Sequence, residues 1–151
     1  MTTAGFIDAS AFDPAHRQFR LPVRVYYEDT DAGGVVYYAN YLRYFERART
    51  EWLRHLGYEQ DRLLRDTGIA FAARSIQVEF MKPARLDDVL TLVAGIESVG
   101  RAQVVFTQYA ERDGEKLVEA TMRIASFSPA SGRAVGMPRN IYEAFKALTT
   151  T

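Results

Sequence analysis

The sequence predicts an α+β domain in which one antiparallel sheet buries one long, aromatic-rich helix. Apolar residues recur at helical spacing through a single long segment, 38–56. Four segments with strand-like patterning follow it, within 72–127. The third and fourth of these are joined by Asp113-Gly114, a two-residue signal for an antiparallel hairpin. At 151 residues the chain has the length of one compact domain, and no linker or internal repeat divides it.

In chain order, residues 1–20 are weakly patterned and are expected to be a lead-in to a domain over 21–151. Val23–Tyr27 is β-branched and aromatic and is predicted to be a strand. It runs into E-D-T-D-A-G-G, a cluster of turn formers whose glycines, Gly33 and Gly34, permit unusual backbone angles. The predicted helix carries Tyr38, Tyr41, Leu42, Phe45, Ala48, Trp52, Leu53 and Leu56 on its inner face. Arg43, Arg47, Glu51 and Arg54 lie on the other face, and Gly57 is the expected C-cap. That segment makes about five turns. A short second helix is expected at 59–67. The four predicted strands are Ala72–Phe80, Leu90–Ser98, Ala102–Glu111 and Leu117–Phe127. In the first of them Arg74, Ile76, Val78 and Phe80 alternate with Ala73, Ser75, Gln77 and Glu79. Pro138 then opens a terminal amphipathic helix with Ile141, Phe145 and Leu148 inward.

Acidic and basic residues balance, 19 against 19, so nothing electrostatic points to nucleic acid or a membrane surface as partner. Only Lys82, Lys116 and Lys146 are lysines; the arginine bias is read as the mark of a GC-rich genome. The chain has no cysteine, which removes disulfides, thiolate nucleophiles and most structural zinc sites. The opening MTTAGFIDAS is not read as a signal peptide, and no apolar run approaches the roughly 20 residues of a spanning helix. A cytoplasmic protein is expected.

The catalytic inventory is short. His16 and His55 are the only histidines, and both are read as surface positions. No G-x-S-x-G elbow, G-x-G-x-x-G loop or P-loop occurs, and E-D-T-D lacks the spacing and trailing glutamate of a calcium loop. What is left is a carboxylate ahead of a helix N-terminus. Asp31 lies in the glycine turn just before the long helix, nearer to it than Glu28 or Asp29. Helix-start amides lack internal partners and carry a partial positive charge, so they can polarise a carbonyl and stabilise its oxyanion. An ionised carboxylate beside them can attack that carbonyl or deprotonate a water. Such a weak nucleophile suits an activated acyl group such as a thioester. The other reading of Asp31 is turn chemistry or N-capping.

The stretch VRVYYEDTDAGGVVYYANYLRYFERARTEWLRHLG closely resembles the opening strand, loop and central helix of the 4-hydroxybenzoyl-CoA thioesterase family. The likeness is greatest to its Tol–Pal-associated acyl-CoA thioesterases, the YbgC type. VEFMKPARLDDVLTL and VVFTQYA continue it, so that it covers roughly residues 22–135, and the D-T-D-A-G-G-V-V-Y-Y-A-N-Y block is its most specific part. The resemblance implies a hotdog fold, a curled antiparallel sheet wrapped around one long helix. It also implies hydrolysis of an acyl-CoA, or of an acyl group carried on acyl carrier protein, to free acid and thiol.

Carried over residue by residue, Asp31 is the nucleophile or general base, and Tyr38 offers its backbone N–H to the thioester oxygen. Gly34 and Val35 lie where the acyl thioester approaches the backbone. Phe71, Ala72 and the residues up to Arg74, supplied by a second subunit, line the acyl pocket. The resemblance further implies a homodimer or homotetramer and no metal or redox cofactor, the CoA arriving with the substrate. One departure is Tyr38 itself: YbgC-type members generally have histidine there, whereas the 4-hydroxybenzoyl-CoA enzyme has tyrosine. Some hotdog thioesterases outside this branch use a helix glutamate, and Glu46 occupies the helix here. With Arg49 three residues on, Glu46 is read as an ion-pair partner. Trp52 and the helix tyrosines are read as core or interface aromatics. Two rival readings remain. A hotdog hydratase or dehydratase would need a histidine near the helix start, which is absent. A non-catalytic acyl-thioester-binding or lipid-synthesis scaffold module would have no need of Asp31 and both glycines.

Overall fold

A computed structural model describes residues 11–150. Its strands are β1 (Ala11–Asp13), β2 (Gln18–Arg24), β3 (Ala70–Phe80), β4 (Val89–Gly100), β5 (Gln103–Arg112), β6 (Glu115–Ser128) and β7 (Arg133–Ala134). The helices are α1 (Asn40–His55), α2 (Gln60–Thr67) and α3 (Arg139–Ala147). The strands form one sheet in the order β1-β2-β4-β5-β6-β3, with β7 beside β6 and every pairing antiparallel. The sheet curls around α1, as the predicted class requires, and register shifts in the β3–β6, β4–β5 and β5–β6 pairings help it bend.

The core is the contact between α1 and the inner face of the sheet. Phe19, Leu21 and Val23 of β2 point inward, as do Leu90, Leu92, Ala94 and Ile96 of β4 and Val118, Ala120, Met122 and Ile124 of β6. Alternate residues of β6 (Glu119, Thr121, Arg123) face solvent, the period expected of a half-buried antiparallel strand. From α1 come Tyr41, Tyr44, Phe45, Ala48, Trp52 and Leu53. Trp52 stacks on Phe12 and Phe19 at 6.1 and 6.0 Å and meets the Phe106 ring nearly edge-on. Phe45 is fully buried at the middle of the helix. Phe45→Ala is expected to destabilise the domain by about 3–5 kcal/mol, measured as a fall in Tm. Helix α1 ends in a Schellman turn: Gly57, at φ +91°, and Tyr58 donate back to the Arg54 and Leu53 carbonyls. Asp113-Gly114 forms the β5–β6 turn with both residues at positive φ, as a primed turn requires.

The structure corrects several boundaries. Among the described residues the sheet already includes Ala11–Asp13 and Gln18–Arg24, inside the expected lead-in of residues 1–20; residues 1–10 lie outside the described residues. Phe19, Leu21 and Val23 alternate toward the core although Pro22, a residue disfavoured in strands, lies among them. Pro22 pairs with Thr91 of β4, beyond the β1 residues that the structure describes. The strand predicted at Val23–Tyr27 stops at Arg24, and Tyr27–Asp29 form a 3-10 turn. The long helix starts at Asn40, so Tyr38 precedes it and is exposed, while Tyr44 joins the buried stripe instead. The alternation predicted over Ala72–Phe80 falls on β3 (Ala70–Phe80). That strand is the sheet's outer one, and Ala72 to Gln77 are exposed on both faces.

Candidate active site

The site is built on the chain between β2 and α1. After β2, Val25 exchanges backbone hydrogen bonds with the 87–88 turn, and the 3-10 turn Tyr27–Asp29 redirects the chain. A tight hairpin follows, closed by a Thr30–Val36 bridge. Within it the Asp31 amide donates to the Val35 carbonyl at 2.9 Å, and the Gly34 amide donates to the Asp31 carbonyl at 3.0 Å. Gly34 adopts φ +79°, which glycine takes without strain, and a side chain there would project into open space. Val35 bridges to Arg85 and Val36 donates to the Ala84 carbonyl, so the far arm of the hairpin is docked on the chain ahead of β4.

Asp31 sits exposed at the head of this hairpin. One carboxylate oxygen accepts the Gly33 amide at 2.9 Å, an Asx-type bond that orients the group. The turn role and the chemical role are thus both open to one side chain. The backbone ahead of α1 holds its own amides unevenly. Asn40, Tyr41 and Leu42 donate to the carbonyls of Tyr37, Tyr38 and Ala39 at 2.8, 3.4 and 3.2 Å. The amides of Tyr38 and Ala39 donate to no other described residue. Free donors therefore lie just ahead of the helix rather than in its first turn.

The Tyr38 ring is exposed and leans on Tyr37 and, at 6.2 Å, on Phe80. Beside it Val36, Tyr41, Phe80, Met81 and Pro83 line an open cavity of about 270 Å³. Tyr38→Phe should leave kcat/KM within a factor of about three if only the amide serves; a loss of about 10²–10³ would place the phenol among the donors.

Phe71 and Ala72 line a different cavity, of about 280 Å³, together with Arg49, Thr50, Leu53 and Phe106. Phe80 neighbours Tyr38, and nine residue steps along extended β3 separate Phe80 from Phe71, roughly 30 Å. The structure thus places Asp31, Gly34 and Val35 on one hairpin with Tyr38 just after it, and leaves Phe71 and Ala72 at the far end of β3.

The expected Glu46–Arg49 ion pair does not form; no carboxylate lies within 4 Å of Arg49 among the described ion pairs. Arg49 turns inward and donates to Gln108 Oε1 and Met122 Sδ at 2.9 and 2.8 Å, over the Phe106 ring. Burial lowers its pKa to about 10, which leaves it charged at neutral pH. Gln108, itself buried, donates to the Phe45 carbonyl at 3.0 Å and ties helix to sheet. Nothing in local spacing announces a partner on β5. Neither histidine reaches the Asp31 turn. His16 pairs with Asp13 at 2.8 Å, which holds that carboxyl below its usual range, and His55 lies at the far end of α1. Among the described residues no cluster of three or more acids or histidines could hold a metal ion, and no helix is long and apolar enough to cross a membrane.

The sequence profile of the thioesterase superfamily matches residues 33–119, from the glycine turn into the first half of β6. The chain belongs to that superfamily. This thioesterase-superfamily chain is 42% identical to the acyl-CoA thioesterase YbgC of Haemophilus influenzae, over 86% of its own length and 96% of the relative's. It is 44% identical to the acyl-CoA thioester hydrolase YbgC of Escherichia coli O157:H7, over 85% and 96%. A probable thioesterase from Bartonella henselae superposes with a TM-score of 0.75 at 34% identity, covering 79% of this chain and 98% of that one. A 4-hydroxybenzoyl CoA thioesterase complexed with 4-hydroxybenzoyl CoA superposes with a TM-score of 0.79 over 84% and 97%, and at 22% identity it bears on the fold alone. The superfamily member has the hotdog fold, and the resemblance to YbgC-type thioesterases holds over most of its length.

Proposed function

We propose that this chain is an acyl-CoA thioester hydrolase in which Asp31 supplies the reacting carboxylate and the Tyr38 amide receives the oxyanion. The observation that carries the reading is an exposed, oriented carboxylate on the hairpin, followed directly by backbone amides at Tyr38 and Ala39 that have no partner among the described residues. The family relationship to acyl-CoA thioesterases supports the same substrate class.

Two routes fit. As general base, Asp31 takes a proton from water, and the oxygen adds to the thioester carbonyl carbon. The carbonyl oxygen becomes an oxyanion held by the Tyr38 N–H; its collapse breaks the C–S bond, and the thiolate leaves and is protonated. As nucleophile, an Asp31 oxygen adds to the same carbon, the C–S bond breaks, and water then opens the mixed anhydride. Both end in free acid and free thiol, and neither calls for a metal or redox cofactor.

The working unit in this reading is a homodimer, from which a tetramer can be assembled. Strand β3 is 11 residues long, exposes Ile76 and Phe80, and has no neighbour on its outer edge among the described strands. Antiparallel pairing of β3 with its two-fold copy would bring Phe71 and Ala72 of one subunit beside the partner's Phe80, and so beside the partner's Asp31 hairpin. Only the thioester meets Asp31, so an acyl group on CoA or on acyl carrier protein presents the same reacting bond; acyl-CoA is the substrate in this reading. The setting is the cytoplasm, in the Tol–Pal-associated group that the resemblance implies. The test is thiol release from a panel of acyl-CoAs of graded length, with and without an aromatic acyl group. Turnover of at least one is expected, and a wild-type protein inert on all of them would overturn the reading.

A further inference from the structure

We propose that Asn40 is a positioning residue for this reaction, holding the Asp31 hairpin in register with the Tyr38 amide through the Asp29 carbonyl. The inference rests on the proposed thioesterase reading. Asparagine beside a helix start ordinarily caps its own helix. Here α1 has no side-chain cap bond; Asn40 is its first residue, is 8% exposed, and reaches 11 residues back along the chain. Its Nδ2 donates to the Asp29 carbonyl at 2.8 Å. The same oxygen accepts the Tyr37 amide at 2.9 Å.

That carbonyl is therefore a hub between the two halves of the site. On one side, Asp29 stands two residues before Asp31. On the other, Tyr37 stands immediately before Tyr38, and its own carbonyl accepts the Asn40 amide at 2.8 Å. The Asn40 main chain and side chain thus grip the hairpin from both arms. The 3-10 turn is fastened independently, since the Asp29 carboxylate accepts the Tyr26 amide at 2.9 Å and Thr30 Oγ1 donates to the Tyr27 carbonyl at 2.8 Å. Losing the Asn40 side chain therefore leaves the hairpin formed but free to shift against the helix start. Displacements of about 1 Å in a reacting constellation can cost about a hundredfold in rate.

The experiment measures kcat and KM for acyl-CoA hydrolysis in wild type, Asn40→Ala and Asn40→Asp. Asn40→Ala should lower kcat by about ten- to a hundredfold with KM within about twofold, because the substrate still binds while the reacting groups drift. Asn40→Asp keeps the shape. Ionised, it presents an acceptor to a carbonyl; protonated, it regains a donor. Its kcat relative to wild type should therefore be as low as that of the alanine variant at pH 8 and recover severalfold by pH 5.5. Asp29, Asp31, Tyr37, Tyr41, Tyr44 and Arg47 are present in both proteins, so wild type measured over the same pH range is the control. A residue that merely supports the fold would shift Tm and leave that ratio flat. If the alanine variant fails to fold, the ratio for Asn40→Asp decides. With an active wild type, an unchanged kcat in Asn40→Ala, a loss confined to KM, or a flat ratio overturns the positioning role and leaves the thioesterase reading standing. A wild type inert on every acyl-CoA overturns both.

Discussion

Asp31→Asn should slow thiol release from acyl-CoA by about 10²–10⁴-fold, the range for losing a positioned proton acceptor, with KM little changed. The substitution isolates the charge. An asparagine Oδ1 can still accept the Gly33 amide, so the 2.9 Å bond that orients the side chain survives. Gly34 keeps φ +79° and the Thr30–Val36 bridge is untouched. A protein of unchanged Tm and far-UV circular dichroism but low kcat is therefore the expected outcome. If the asparagine variant turns over as fast as wild type, Asp31 is only a turn residue, and Glu28 or Asp29 becomes the carboxylate to test.

Mixing two inactive variants should restore activity if each site draws on two subunits. Ala72→Trp fills the cavity that Phe71 and Ala72 line, and alone it should abolish acyl binding. Asp31→Asn alone abolishes chemistry. In a mixed dimer, the intact Asp31 of the tryptophan variant meets the intact pocket of the asparagine variant at one of the two sites. Random exchange at equal concentrations should therefore recover roughly a quarter of wild-type turnover. The measurement is thiol release after co-refolding, with the separately refolded variants as controls. No recovery, in mixtures that demonstrably form mixed dimers, would confine the whole site to a single subunit. Ile76→Lys, on the outer edge of β3, tests the same geometry by mass: the expected product is a monomer with little activity.

The long helix is legible in the sequence because its burial stripe is dense. Phe45, Ala48, Trp52 and Leu53 keep helical spacing, and Gly57 marks the end. Its start is less legible, since Tyr38 looks apolar yet faces solvent beside Phe80. Hydrophobicity reports what a side chain prefers, and Tyr38 is shaped by a turn whose hydrogen bonds are backbone. The Asp31 hairpin can be read from its glycines, because few other residues adopt the backbone angle at Gly34. Asn40 and the Arg49–Gln108 contact cannot be read that way, as each joins positions 11 or 59 residues apart. The exposure of β3 escapes the alternation pattern for another reason: a strand's period says which residues share a face, and only the sheet order says whether that face is covered.

The strand order also dictates when the chain can fold. Strand β2 pairs with β4 and β3 pairs with β6, so the sheet that covers α1 cannot close until Ser128 has been made. A ribosome adding about 5–20 residues per second leaves the aromatic face of α1 uncovered for several seconds after His55 emerges. Long-range pairings of this kind fold slowly, since the ends of long loops must meet before any contact repays them. The nascent chain therefore passes through an interval in which Tyr44, Phe45 and Trp52 are available to chaperones or to other nascent copies. A premature stop within β6 would leave both β3 and β5 without the neighbour they share, and such a fragment is expected to be cleared rather than to persist as a smaller domain.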